Sequence, residues 1–551
     1  MLVAQLKVKE NTPEVKIIAI KIYITDKQLF KSYLFVFLYM QGHKYYRPQL
    51  FYELSLDRLV PEDNFYRQID KTIDLHFLYK ETRSYYGSEG QQSIDPVVFF
   101  KILLVGYLNN LNSDRALIRY CSNCLDTRLF LGYDLNEELP WHSTISRTRQ
   151  LFGDEVFLSL FQKVLRLCVQ KGMVRGKRQA VDSAYIKANA SMDSLVEKEV
   201  VEDAQAYVNE LEANSEFKVT SGRKKLVEQH HNWQKEEYKA MPGNTQTERL
   251  DEDGEVIRPK FMSNHTHYSP TDPDAKISVK PGKPRQLNYA GQLAVDDKHH
   301  VITGACASTA GSKDSAIFSE IMAQTLENLH QNNIGIDQVL ADAGYSSGAS
   351  LQYCEEHNID AYIPNFGQYK SERDGFVYNK EQNQYECTQT GGNQAILAFK
   401  GIKTDSKGYN KKTYRSSESV CGKCSLREQC CGKATKFKKV EDSIHKPLYD
   451  KMHKKLNRDR NYTRFLTKRR SSTVEPVLGT LINHHNMKRV NSRGMSQANK
   501  HVLMAALSYN LKKYLRFITK KASVIALKME LAKGISSLFQ NRLFRMQIAS
   551  I

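Results

Sequence analysis

Three carboxylates stand out by their surroundings. Asp342 closes an apolar run in VLADAGYSS (residues 339–347), ahead of a small residue, a glycine and an aromatic. A carboxylate there either caps a helix after a tight turn or serves as a ligand at a sheet edge, where chemistry tends to sit. Asp182 lies midway along RQAVDSAYIKA, where alternation puts Ala180, Asp182, Ala184 and Ile186 on one face, an acid in an otherwise small, apolar row. Glu475 is the one carboxylate between residues 460 and 529, a window that holds 15 Lys and Arg. Ser472 or Thr473 could cap a helix through VEPVLGTLINH, making Glu475 a first-turn acid that answers the helix dipole. The same helix would place Glu475, Leu478, Gly479 and Ile482 on one inward face, as a ligand requires. Acids from segments this far apart suit two-metal phosphoryl transfer, in which two divalent ions about 3.5 to 4 Å apart clamp the attacking and leaving oxygens. Asp296 and Asp297 compete with them, but their place between two apolar runs reads as a turn.

Sulfur forms a second constellation. YECTQTG supplies Cys387, and CGKCSLREQCCG supplies Cys421, Cys424, Cys430 and Cys431. A CxxC pair with two outlying cysteines, here Cys387, Cys421, Cys424 and Cys430, can make a tetrahedral thiolate zinc site that would staple a segment short of apolar residues. Reduced, partly buried thiols are the other reading. Cys121 and Cys124 have no second pair nearby and read as core. Ten cysteines in 551 residues are too few and too uneven for a disulfide scaffold and fit a reducing cytoplasm.

The elements that must position these groups follow from periodicity. Residues 46 to 177 read as helical, with DPVVFFKILLVGYLNN opening on Asp95-Pro96, then SDRALIRYCSN and HSTISRTRQLFG. In the last of these, Arg147 and Arg149 would project with Ser143 and Thr144; such a helix either packs or reads a DNA groove. LNYAGQLAV and HHVITGACAS form a hairpin around Asp296-Asp297-Lys298, DSAIFSEIMAQTLENLH a helix from Asp314, and VLADAG, GASLQYCEEHN and DAYIP a strand, helix and strand. A polar insertion, about 190–285, is too long to be structureless and should contain helices. The tail HVLMAALSYNLKKYLRFITKKASVIALKMELAKG reads as amphipathic and basic, packing one face while its lysines meet DNA.

Charge separates the two ends. The net charge is +19, but residues 401–551 carry 34 Lys and Arg against 9 Asp and Glu, so the basicity belongs to the C-terminal quarter and points to a polyanionic partner. No stretch of about 18 uninterrupted apolar residues appears, which argues against a membrane span. IIAIKIYITDKQLF and KSYLFVFLYM are broken by charges, no signal cleavage site follows them, and Met40 stands just before HKYYRPQLF; residues 1–43 are expected to be a dispensable extension.

Taken in order, AVDSAYIKANAS, SPTDPDAK, LNYAGQLAVD, LADAGYSS and STVEPVLG resemble insertion-sequence transposases of the DDE type, in particular the eleven-eighty-two group. YYRPQLFYELSLDRLVPEDNFYRQID through PWHSTISRTRQ looks like the helical domain that precedes the catalytic one in those proteins. The resemblance spans about residues 44–515. It implies a ribonuclease-H-like α/β catalytic domain over 178–515, with insertions at about 190–285 and 365–460, preceded by an all-α domain over 44–177 and followed by a basic tail over 516–551. It implies further that Asp182, Asp342 and Glu475 hold Mg²⁺ (or Mn²⁺); cysteines similar to those described above occur in the related transposases, where zinc and reduced thiols stay open as readings. The partners it implies are double-stranded DNA, both element ends and target, and further copies of the chain in a synaptic complex, in the bacterial cytoplasm at the nucleoid. Arg147, Arg149, Arg469, Arg470, Lys488 and Arg489 are the expected DNA contacts. A nuclease of the same fold, or a non-mobile DNA-binding descendant, is the alternative. In the broader superfamily a tyrosine, an arginine and a lysine flank the glutamate; here Lys468, Ser471 and Ile482 occupy those places, leaving Arg469 or Arg470 to replace the arginine.

Overall fold

Three helices of the N-terminal region start at a side chain that caps them, Asn64, Asp95 or Ser113. The structure, a computed structural model, describes residues 54–87, 93–197, 267–278, 284–367, 369–405, 408–432 and 434–520, with a few isolated residues and short strands outside these spans. Asp95 accepts from the N–H groups of Val97 and Val98 and opens the helix Pro96–Leu108, whose fixed Pro φ suits the first turn. Ser113 caps Asp114–Asn123, and His142–Leu151 follows. The side chains of Phe99, Phe100, Phe152, Phe157 and Phe161 fill the core between these helices, and Cys121 is fully buried among them.

The central sheet runs in the order Ile302–Thr309, Gln286–Asp296, Arg178–Lys187, Gln338–Leu340, Asp360–Tyr362, with Lys276–Ser278 added to the second of these. The first three strands are antiparallel and the last three parallel. Three meandering strands, then a crossover through helix Asp314–His330 to a strand beside the first, make a ribonuclease-H-like sheet. Helix Asp314–His330 approaches the hairpin closely: a Cβ at Gly304 would lie 2.2 Å from Thr325 Oγ1, so only glycine fits there. A helix over 495–520 covers the same hairpin, where Asn510 both accepts from the Ile302 N–H and donates to its carbonyl.

This last helix departs from the expected amphipathic tail. Residues 500–511 are all buried, Lys500 included, and the remaining cations lie at its C-terminal end, from Lys512 onward. Alternating small and apolar side chains let it enter the core instead of lying on it. Residues 521–551 lie outside the described residues. So do most of the insertion at 190–285, with the helices expected in it, and Met40.

The second insertion is a five-stranded antiparallel sheet in chain order: Phe376–Asn379, Gln384–Cys387, Ile396–Thr404, Asn410–Ser416 and Lys439–Ser443. Its own buried core is Phe376, Tyr385, Leu397, Tyr414 and Val440. Residues 1–55 form a separate unit with a three-stranded antiparallel sheet, Ala4–Lys9, Ile17–Ile22 and Leu34–Phe35; the expectation that residues 1–43 are dispensable rests on a segment mostly outside the described residues. No helix among the described residues is long and apolar enough to cross a membrane.

Candidate active site

Register brings the two aspartates level. The parallel pairing of Gln338 with Arg178 and of Leu340 with Ala180 carries the chain, two residues on, to Asp342 beside Asp182. Asp182 is half-buried in its strand, with its Oδ1 accepting from the Ser183 N–H at 2.8 Å. Burial pushes its carboxyl above the ordinary aspartate range, the charge of Asp342 adds to this, and Arg470 opposes it.

Asp342 does what its local sequence suggests: its Oδ1 accepts from the Gly344 N–H at 2.9 Å and caps the short turn Ala343–Tyr345. Capping occupies one oxygen of the carboxylate. A third acid, Asp314, stands at the same turn. A Cβ on Gly344 would lie 3.0 Å from Asp342 Oδ1 and 3.4 Å from Asp314 Oδ2. The Gln292 amide donates to Asp314 Oδ1 at 3.0 Å, and Tyr345 Oη donates to Gln292 Oε1 at 2.5 Å. The buried Tyr345 hydroxyl is held well above its ordinary pKa by burial and by the charges of Asp314, Asp182 and Asp342, so it remains a donor. In the sequence Asp314 showed only as the first residue of a helix, with nothing to tie it to the site.

Glu475 departs from expectation in two ways. Its helix spans Arg460–His484 and is capped by Asp459, so Glu475 is a mid-helix residue and Ser472 and Thr473 cap nothing. The helix passes through Pro476, which removes the donor for the Ser472 carbonyl without ending the helix. The buried face is Thr473, Val474, Val477, Leu478 and Leu481, whereas the Glu475 side chain is 59% exposed. It borders an open groove of about 390 Å³ with Thr467, Lys468, Ser471 and Ser472.

Arg470 connects the parts. Its Nη1 donates to Asp182 Oδ2 at 2.6 Å and its Nη2 lies 3.8 Å from Glu475 Oε1. The guanidinium therefore sits between a strand carboxylate and the helix carboxylate, where a cation is needed. Among the described residues, no three His, Cys, Asp or Glu side chains stand close enough to hold a metal ion. Asp182 and Asp342 suit a hard divalent cation, being two crowded carboxylates with one pKa raised; Glu475 would have to turn inward past Arg470 to join them.

The expected DNA contacts divide. Arg147 is exposed, as are Lys488 and Arg489, the last donating to Asn189 Oδ1 beside the first strand. Arg149 is a correction: it is buried, its guanidinium bonded to both Asp114 oxygens at 2.7 and 3.1 Å, because the helix turns it inward two residues after Arg147. Arg469 holds the buried Asp297, its Nε donating to Oδ2 at 3.1 Å, with Arg178 at 3.5 Å. Asp296, fully buried at the hairpin, accepts from the N–H groups of Arg175, Gly176 and Lys298 and from the Gln179 amide. Both acids are thus occupied by structure, in keeping with the turn reading. Cys387, Cys421, Cys424 and Cys430 come together, with Cys431, around one small cavity of the second insertion.

Comparison with known proteins yields two family matches. The family described as a transposase domain (DUF772) matches residues 54–151, and the family described as a transposase DDE domain matches residues 391–515, which include Glu475. No curated protein matches in sequence. Among solved structures the chain is similar to a piggyBac transposase in a synaptic complex with hairpin DNA, determined by cryo-EM, at 11% identity and a TM-score of 0.26, over 83% of this chain and 74% of that one. A likeness that low adds nothing to the strand order described above.

Proposed function

We propose, for a chain that belongs to the insertion-sequence transposases of the DDE type, that it binds the terminal inverted repeats of its element, cuts a phosphodiester at each end and joins the freed 3′-hydroxyl to target DNA. The observation that carries this reading is the strand register that ends at Leu340 beside Ala180 and leads Asp342 to the neighbourhood of Asp182, with Arg470 linking Asp182 to Glu475. Asp182, Asp342 and Glu475 would hold Mg²⁺ or Mn²⁺, which supplies charge neutralisation at the scissile phosphate and a more acidic attacking hydroxyl. The strand register fixes Asp182, and the Gly344 N–H fixes the orientation of Asp342. The Gln292–Tyr345–Asp314 network braces that turn from behind. Exposed Arg147, Lys488 and Arg489 would meet phosphates, and Arg470, once released from its carboxylates, is placed to do the same. Such chemistry on two ends calls for more than one copy of the chain, working on DNA in the bacterial cytoplasm.

The test is cleavage of labelled duplex carrying the element's own ends, in Mg²⁺. Asp182→Asn, Asp342→Asn and Glu475→Gln should each lose cutting by at least about a hundredfold while still shifting the DNA in a gel, since neutral isosteres keep the fold and remove like charge beside phosphate. Asn at position 342 can still cap Gly344, so normal cutting by that variant would reduce Asp342 to a cap and refute the three-carboxylate site. Pre-cleaved ends separate strand transfer from simple nuclease action.

A further inference from the structure

We infer that the second insertion is a zinc-stapled module, with one Zn²⁺ bound by Cys387, Cys421, Cys424 and Cys430 independently of the carboxylate site. The physical need comes first. Five strands are held by a buried core of Phe376, Tyr385, Leu397, Tyr414 and Val440. So small a core seldom stabilises a sheet alone, and small modules of this kind add a disulfide or a metal.

The placement of the thiols answers that need. Cys387 ends the strand Gln384–Cys387, Cys421 ends the short helix Glu418–Cys421, Cys424 lies in the turn after it, and Cys430 lies in the helix Arg427–Cys431. Separated in sequence by more than thirty residues at the widest, all four line one cavity of about 20 Å³, room for about one water-sized occupant. Cys387 and Cys430 pack against the same core, and Cys421 is itself buried. The choice of Cys430 over its neighbour rests on that packing. The thiols do not yet stand at ligation distance, since no three among the described residues could hold an ion as they lie. Their convergence on one single-occupant volume leaves closure to side-chain rotation.

Charge fits as well. Four thiols would release four protons to solvent as four Zn–S bonds form, leaving a centre of net charge −2. The cations to offset it are in place: Arg427 and Lys438 line the same cavity, and Lys438 Nζ donates to the Cys430 carbonyl at 2.5 Å. Hydrogen bonds between backbone groups already fold the CxxC turn, with the Cys424 N–H donating to the Cys421 carbonyl and Arg427 N–H to that of Cys424.

The experiment uses the full chain purified without chelator. Elemental analysis should find about one zinc per chain, and cobalt exchanged into the same protein should give the intense visible and charge-transfer bands of tetrahedral thiolate coordination. The double variant Cys421→Ser/Cys424→Ser should lose the ion and expose residues 376–443 to protease, while Cys124→Ser keeps both the ion and the resistance. Zinc-free wild type whose protease pattern does not change on adding zinc, or a cobalt spectrum of octahedral oxygen ligation, overturns the inference. Because the cobalt spectrum is read on wild-type protein, a misfolded variant cannot mask the result. DNA cleavage takes no part in the measurement, so this outcome and that of the transposase reading are separable.

Discussion

Replacing Arg470 by glutamine removes the cation between Asp182 and Glu475 while keeping most of the side chain. Arg470 and Asp182 are 14% and 18% exposed and 2.6 Å apart. At an effective dielectric of about 20, charges at that distance attract by about 6 kcal/mol, most of which the desolvation of both ions offsets. Breaking a fully buried pair costs about 3–5 kcal/mol and an exposed one under about 1, so a half-buried pair should fall near 2 kcal/mol. In metal-free buffer Arg470→Gln should therefore melt a few degrees below wild type, as Asp182 is left facing Asp342 uncompensated. Divalent ions should then restore more stability to the variant than to wild type, because the ion no longer competes with a guanidinium for Asp182. Differential scanning calorimetry across a Mn²⁺ titration reads both effects, and Arg470→Lys should lie between the two. An Arg470→Gln protein with lowered stability but the same Mn²⁺ response as wild type would make Arg470 a structural pair and refute its role as a stand-in for the metal.

Other consequences follow from single contacts. Arg149→Ala should cost about 3–5 kcal/mol in thermal or urea unfolding, since it strands the Asp114 carboxylate that the guanidinium grips with two hydrogen bonds. Arg147→Ala should leave stability within about 0.5 kcal/mol yet weaken binding to any duplex and lower the salt slope by about one, the signature of a lost phosphate contact in a salt titration. Acid should unfold the protein through buried histidines. Burial holds His485 at about 4 and His501 at about 3, against 6.5 when unfolded. Below pH 6.5 the unfolded chain thus binds more protons, and stability should fall by up to about 1.4 kcal/mol per pH unit for each, down to pH 4. His501→Gln, read by the pH dependence of urea midpoints, should flatten that slope; an unchanged slope would exclude His501 from the acid transition.

Much of the scaffold was legible because its signals are local. Asp95-Pro96 and Ser113 announce helices through capping chemistry, and Asp296-Asp297-Lys298 announces a hairpin between two apolar runs. The five-stranded insertion was not legible, for its strands, such as NKKTYRS, are polar on both faces and carry no clean alternation. The buried C-terminal helix was misread for the opposite reason. Its lysines cluster past Leu511 and colour the whole segment, while the stretch before them, HVLMAALSYNL, is mostly apolar on every side with no charged side chain, which marks a buried helix instead of an amphipathic one.

The candidate site divides along the same line. Asp182 could be found because a strand's two-residue period exposes an acid in an apolar row, and Asp342 because it closes an apolar run, but the parallel pairing that leads them to neighbouring positions is seen only in the structure. Glu475 could be singled out as an isolated acid, but its orientation depends on where its helix begins. Starting the helix at Ser472 or Thr473 makes it a first-turn acid; starting it at Asp459 makes it mid-helix, on the exposed border of the buried stripe and within reach of Arg470. Five residues, about one and a half turns, separate Arg470 from Glu475, so the two leave the helix on different sides, and it is the reach of the long arginine side chain that lets one guanidinium bond the strand beneath and lie 3.8 Å from Glu475 Oε1. The positive charge of the window around Glu475 therefore has two parts with different work. Arg469 and Arg470 are turned to Asp297 and Asp182 and hold the helix to the sheet, whereas Lys468 faces the open groove. Only the second kind is free to meet a polyanion before the site rearranges, and a window's net charge cannot distinguish them.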